Sequence, residues 1–128
     1  MNTVTFAPQL YIKNGVTNIE FYSKAFGAVE LYRFTNDDGS IHVAELSIHG
    51  TIFHLHEETA NTELFNPDKH KGTTIKIGLF VPDVDEVMNN AVAAGGIVLS
   101  PAQDYDYGYR QGEVRDPFGH IWMIEKRI

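Results

Sequence analysis

The sequence predicts an α+β fold built from two tandem β-α-β-β-β units. Three observations predict it. Stretches with helical spacing open at Val16 and Val84 and stop at Gly27 and Gly95, and both pairs lie 68 positions apart. Each is preceded by one segment of strand character and followed by three more, so the order of elements repeats. Hairpin turns at Gly50 and Gly119 occupy matching places in the two halves.

The elements follow in order. Val4 to Lys13 is β-branched and aromatic, and its Pro8 suits an edge or first strand because proline cannot donate to a ladder. Asn14-Gly15 breaks it. Val16, Ile19, Phe21, Tyr22, Ala25 and Phe26 then recur at helical intervals, with Thr17 or Asn18 as cap and Gly27 as stop, which predicts a helix of about three turns. Val29 to Thr35 reads as a strand before the turn Asn36 to Ser40. Ile41 to Ile48 and Thr51 to Glu57 are two more, joined by His49-Gly50. Glu58 to Gly72 is polar and aperiodic, a connection between units. A strand at Thr73 to Val81, a helix at Val84 to Ala94 and a strand at Ile97 to Ser100 come next. A loop rich in Tyr, Asp and Gly leads to strands at Gly112 to Arg115 and His120 to Lys126, split by Asp116-Pro117-Phe118-Gly119. One domain over 1–128 is expected, with module one at 1–57, a connection at 58–72 and module two at 73–128.

Composition narrows the function classes. A length of 128 residues leaves no room for a second independent domain. Hydrophobic residues at 43% and charged residues at 21% exclude a disordered or fibrous chain. Seventeen acidic against ten basic residues give a net charge of −7, which argues against nucleic acid, whose binding rests on neutralising phosphates. The absence of cysteine removes disulfides, thiolate nucleophiles and thiolate zinc sites. No leader pattern opens Met1 to Leu10, and no apolar run nears the roughly 18 residues of a membrane helix. A cytoplasmic protein without nucleic-acid or membrane partners is expected. No nucleophile stands at a diagnostic spacing from a base, and no nucleotide-binding loop is present.

The last quarter carries Tyr105, Tyr107, Tyr109, Phe118 and Trp122, interleaved with Asp104, Asp106, Glu113 and Asp116. Aromatic faces beside carboxylates suit a flat or cationic ligand. The other reading places Phe118 and Trp122 in the core and the tyrosines in a loop or subunit contact. Arg110 can hold a carboxylate or phosphate group and, with Arg115, argues against a purely cation-selective pocket. His42 and Glu45 differ by an odd number, so only one faces a cavity unless a bulge intervenes; His42 shares the parity of Ala44 and Leu46. His49 sits at a hairpin tip, exposed, and His120 is read as structural, bonding backbone at its turn.

Gln9-Leu-Tyr-Ile-Lys-Asn-Gly15 and Ile19-Glu-Phe-Tyr-Ser-Lys-Ala-Phe-Gly-Ala28 resemble the opening of the vicinal oxygen chelate superfamily, which holds glyoxalase I, bleomycin-resistance proteins, fosfomycin-resistance proteins and extradiol dioxygenases. Gly108-Tyr-Arg-Gln-Gly-Glu-Val-Arg-Asp-Pro-Phe-Gly-His-Ile-Trp122 is similar to its PhnB-like branch. The resemblance implies strands curled into a half-open barrel around a cavity, a homodimer, and a divalent metal (Zn, Ni, Mn or Fe) held by the first and last strand of each module. Counted from the helix openings, the first-strand positions fall on Pro8 and Lys76, which cannot ligate; the last-strand positions fall on His54 and Met123.

Two functional readings follow, beside a third in which the domain is an interaction module whose cavity is vestigial. In one, the usual metal positions are replaced and the cavity binds or sequesters a small organic ligand through His42, His54, Tyr107, Tyr109, Arg110, Trp122 and Met123, much as the resemblance to bleomycin-resistance proteins implies. In the other, a metal-dependent lyase or isomerase gathers His54, His56 and Glu125, with His56 and Glu125 as catalytic groups. Period-2 alternation puts His54 and His56 on one strand face, and His2Glu is a zinc constellation that leaves a position open. Against it stands the reading of His56 and Glu125 as solvated strand-end residues.

Overall fold

The computed structural model describes residues 3–60 and 63–128. Its elements are β1 (Gln9–Ile12), α1 (Phe21–Phe26), β2 (Val29–Thr35), β3 (Ile41–Ile48), β4 (Thr51–Glu57), a single 3-10 turn (Pro67–Lys69), β5 (Lys76–Phe80), α2 (Val84–Ala93), β6 (Ile97–Tyr105), β7 (Tyr109–Arg115) and β8 (Ile121–Arg127). Two four-stranded sheets result, in the orders β1-β4-β3-β2 and β5-β8-β7-β6. In each, the first strand of the module runs parallel to the last and the others are antiparallel. The expected α+β architecture of two tandem modules is what forms. Among the described residues no helix is long and apolar enough to cross a membrane.

Alternation along the strands decides which face each sheet buries. Leu10, Ile12, Ala44, Leu46, Phe53 and Leu55 are buried with Phe21, Tyr22, Ala25 and Phe26 of α1. Val114, Trp122 and Ile124 do the same beneath Val84, Met88 and Ala91 of α2. The two helices pack on each other and join the modules. Gln9, Tyr11, Glu45, His54 and His56 in one sheet, and Met123 in the other, lie on alternate positions that stay partly open.

Several limits differ from those expected, each for a visible reason. The first helix is six residues rather than three turns. The Val16 carbonyl accepts the Ile41 amide at 2.8 Å and the Thr17 carbonyl accepts Arg33 Nη1 at 3.1 Å, so both residues are committed to the sheet before the helix starts. Gly27 ends it in the left-handed region at φ 69°, which a glycine adopts without steric cost. β1 is confined to four residues, and Val4 and Phe6 before Pro8 remain exposed. β6 runs on to Tyr105 through the segment expected as a loop. It is an edge strand with shifted register around Ser100 to Gln103, where Pro101 is tolerated because its missing donor faces no partner.

The modules are tied together by a buried carboxylate. Asp116, 2% exposed, accepts Tyr22 Oη at 2.6 Å, Trp122 Nε1 at 3.0 Å, and the amides of Phe118 and His120 at 2.9 and 3.0 Å. Burial, followed by the Asp116 charge, pushes the Tyr22 phenol well above its usual value, so it stays a donor. The His120 ring does not bond its own turn; it reaches the Tyr11 carbonyl of β1 at 2.8 Å. Replacing Asp116 with Ala strands these buried donors and is expected to lower unfolding stability by about 3 kcal/mol or more in urea denaturation. A midpoint within error of wild type would contradict this account.

Candidate functional site

On the open face of the N-terminal sheet, register alone brings four side chains into line. Glu45 is the cross-strand partner of His54, and Gln9 is its partner on the parallel side. His54 Nε2 lies 2.9 Å from Glu45 Oε2, and Gln9 Nε2 reaches His54 Nδ1. Tyr32 donates to the same Glu45 carboxylate. Because a carboxylate only accepts, the neutral His54 ring carries its proton on Nε2 and turns its lone pair to the Gln9 amide. The His54 hydrogen bond, reinforced by Tyr32 against partial desolvation, holds the Glu45 carboxyl below its usual value. The bond to Glu45 raises the Tyr32 phenol.

At the far end of that face, His42 and His56 come together. The register jumps from Phe34↔Val43 to Thr35↔Ile41, and this bulge turns His42 off the parity of Ala44 and Leu46. The His42 and His56 ring centroids stand 5.1 Å apart, and His56 stacks on Tyr11. Glu57 gathers the end of the sheet: its carboxylate accepts Asn14 Nδ2 at 2.9 Å, His42 Nδ1 at 2.9 Å and Asn36 Nδ2 at 3.1 Å. The Asn14 bond first, then that of His42, lowers its carboxyl.

The C-terminal sheet presents different chemistry at matching places. Gly78 stands opposite Met123, and Phe80 opposite Glu125. Glu125 is 8% exposed, and its Oε1 accepts Gln111 Nε2 at 2.8 Å. Its other oxygen lies over Gly78, where a Cβ would come within 2.5 Å of it. Tyr107 donates to Gln111, Tyr105 stacks on Tyr107, and Arg127 lies over the rings of Phe80 and Tyr109. Lys76 pairs with Glu113 at 3.1 Å.

The placements sort the expected residues. His54 and Met123 occupy open strand faces, and Tyr107 and Tyr109 join an aromatic row. Trp122 is core, packed against Phe26 and Phe53, and also walls a mostly apolar cavity of about 580 Å³ at the module junction with Leu79 and Val87. Arg110 is engaged elsewhere, clamped by Asp85 at 2.8 Å and Asp104 at 2.9 Å, an arrangement that raises its pKa and lowers that of Asp85. The residues standing beside His54 and Met123 are Gln9 and Gly78, one and two places on from the counted Pro8 and Lys76. His54 and His56 lie in one sheet and Glu125 in the other. Gln9, Tyr32 and Glu57 were not singled out from sequence; their roles depend on which strands become neighbours.

A family model described as the glyoxalase/bleomycin resistance protein/dioxygenase superfamily matches residues 5–124. The chain belongs to that superfamily. An uncharacterized protein of Mycobacterium tuberculosis is 36% identical over 125 residues, covering 95% of this chain and 74% of that one. Among solved structures, a gene product from Arabidopsis thaliana superposes with a TM-score of 0.77 at 23% identity, over 98% of this chain and 100% of that one. TioX from Micromonospora sp. gives 0.68 at 27%, over 97% and 100%, and the fosfomycin resistance protein FosX of Listeria monocytogenes 0.69 at 19%, over 98% and 93%.

Members of this superfamily often hold a divalent metal, and the residues here do not fit one at the usual positions. Gln9 and His54 saturate each other and Glu45, while Gly78 and Met123 offer no hard donor. Among the described residues no group of three His, Cys, Asp or Glu side chains is placed to hold an ion.

Two tests follow from this geometry. A carboxyl lowered in the native state adds stability that is complete above the ordinary glutamate value of about 4.3 and is lost as pH falls through the native one. Urea unfolding between about pH 6 and about pH 3 should therefore show a shallower acid loss in Glu45→Gln than in wild type. Identical acid limbs would contradict the Glu45–His54 pairing. Gly78→Ala is expected to cost under about 1 kcal/mol, because only the flexible end of Glu125 must yield. A crystal structure of the variant should show that carboxylate displaced from Gln111; an unmoved Glu125 would contradict the contact.

Proposed function

We propose that this protein binds a small organic molecule in a barrel cavity, with the usual metal-ligand positions given over to hydrogen-bonding and apolar side chains. The observation that carries this reading is the saturated state of His54, held between Glu45 and Gln9 on a face that no helix among the described residues covers. A ring with no spare lone pair is a recognition group rather than a metal ligand. The row of Tyr105, Tyr107 and Tyr109, with Met123 and the Glu125 carboxylate of the same C-terminal sheet, supplies stacking surface and a negative group. His42, His54, Tyr107, Tyr109 and Met123 are the ligand-contacting side chains of this proposal.

The proposal includes a homodimer. The modules of one chain meet through α1 and α2, which leaves each sheet with an open face carrying half-exposed apolar side chains such as Phe34 and Phe80. A second copy is what encloses such a face into a cavity. Its relative TioX and the fosfomycin resistance proteins share the fold, not by that fact the ligand.

Thermal unfolding in a panel of neutral and cationic aromatic compounds is expected to show a raised midpoint for at least one class, reduced in Tyr107→Ala and Met123→Ala. Sedimentation equilibrium is expected to give twice the chain mass. A panel without any response, on a protein that sediments as a monomer, would sink the reading.

A further inference from the structure

We propose that His42 and His56 form a transition-metal site at the end of the N-terminal sheet, apart from the position of His54. Their hydrogen bonds decide the chemistry. His42 Nδ1 lies 2.9 Å from Glu57 Oε1, and His56 Nδ1 lies 2.7 Å from the Glu57 backbone carbonyl. Both partners only accept, so each neutral imidazole carries its proton on Nδ1 and its lone pair on Nε2. That is the orientation second-sphere carboxylates and carbonyls impose on metal-bound histidines. In His54 the same rule leads to the opposite result, because the ring nitrogen left with the lone pair already receives the Gln9 amide.

The geometry brings the two imidazole rings into one neighbourhood. The bulge at His42 moves its ring next to His56, with centroids 5.1 Å apart and planes at 64°. Both rings are restrained, His56 by stacking on Tyr11 and His42 by a Glu57 carboxylate that Asn14 and Asn36 hold in place. The His42 side chain is 44% exposed, so an ion has access from water. Two neutral imidazoles without a carboxylate in the coordinating set favour Cu²⁺ above Ni²⁺ and Zn²⁺, and leave Mg²⁺ and Ca²⁺ unbound. The remaining coordination positions fall to water or to a donor atom of a bound small molecule. The inference does not depend on the ligand-binding proposal, and its test uses no organic ligand.

Metal-free protein titrated with CuCl2 and with ZnCl2, and Cu²⁺ electron paramagnetic resonance of the loaded form, decide it. One ion per chain with two imidazole nitrogens is expected. His42→Ala and His56→Ala should each weaken binding at least about tenfold, Glu57→Gln about tenfold, and His54→Ala should leave it unchanged. Binding that is indifferent to His42 and His56, or that disappears in His54→Ala, would overturn the site. Should an alanine variant unfold, imidazole ¹⁵N spectra of the wild type replace it. Zn²⁺ must then shift Nε2 of His42 and His56, and shifts confined to other histidines would overturn the proposal equally.

Discussion

The Asp116 carboxylate is the constraint on which the arrangement of the two modules rests. It sits in a turn of the C-terminal module, yet one of its donors, Tyr22, comes from the helix of the N-terminal module. A buried carboxylate is tolerated only when its lone pairs are filled, and here two side chains and two backbone amides fill them. Satisfying that one group therefore fixes the distance between α1 and the β7–β8 turn. It also orients Trp122, whose ring then meets Phe26 and Phe53 across the module boundary. With the helical layer fixed in this way, each sheet has one covered face, and the other is free to carry chemistry.

The two open faces share a scaffold and differ in what they hold. In the N-terminal sheet the register pair Gln9–His54 is polar, and Tyr11–His56 is a stacked pair. At the matching places of the C-terminal sheet stand Gly78–Met123 and Phe80–Glu125. Glycine at 78 has a specific consequence: it clears the space over the edge strand into which the Glu125 carboxylate folds. One face thus presents a proton-bearing imidazole and the other a carboxylate among aromatic rings. The modules share strand order and register, and at these matched positions they differ in the side chains that decide the chemistry.

The strands were legible in the sequence wherever alternation was clean and turn residues bounded it, and Ile41 to Ile48 and Thr51 to Glu57 form with the expected limits. The repeat was legible for the same reason. What escaped depends on pairing between distant segments. Nothing local to Val16 announces that its carbonyl is taken by Ile41, so the first helix reads longer than it is. Nothing local to His42 announces a bulge, which period-2 reasoning allows for but cannot locate. Arg110 reads as a free cation because its partner Asp85 lies 25 positions away on α2. Family-style counting to Pro8 and Lys76 fails by one and two residues because register is set by the β1–β4 and β5–β8 pairings, not by distance to a helix.

The polar groups of the open faces are paired before anything covers them. Glu45 is bonded to His54 and Tyr32, Glu57 to Asn14, Asn36 and His42, and Glu125 to Gln111. No buried side-chain nitrogen or oxygen among the described residues lacks a partner. Covering a polar surface is costly chiefly when groups lose water and gain nothing. Here part of the exchange has already happened inside the chain, so when a ligand or a second subunit excludes water from these faces each carboxylate keeps hydrogen-bond donors of its own. Pre-pairing also holds the side chains in one geometry, and a surface ordered in advance loses less entropy on association. The internal hydrogen bonding that leaves His54 unsuited to a metal is therefore the property that suits this face to being enclosed.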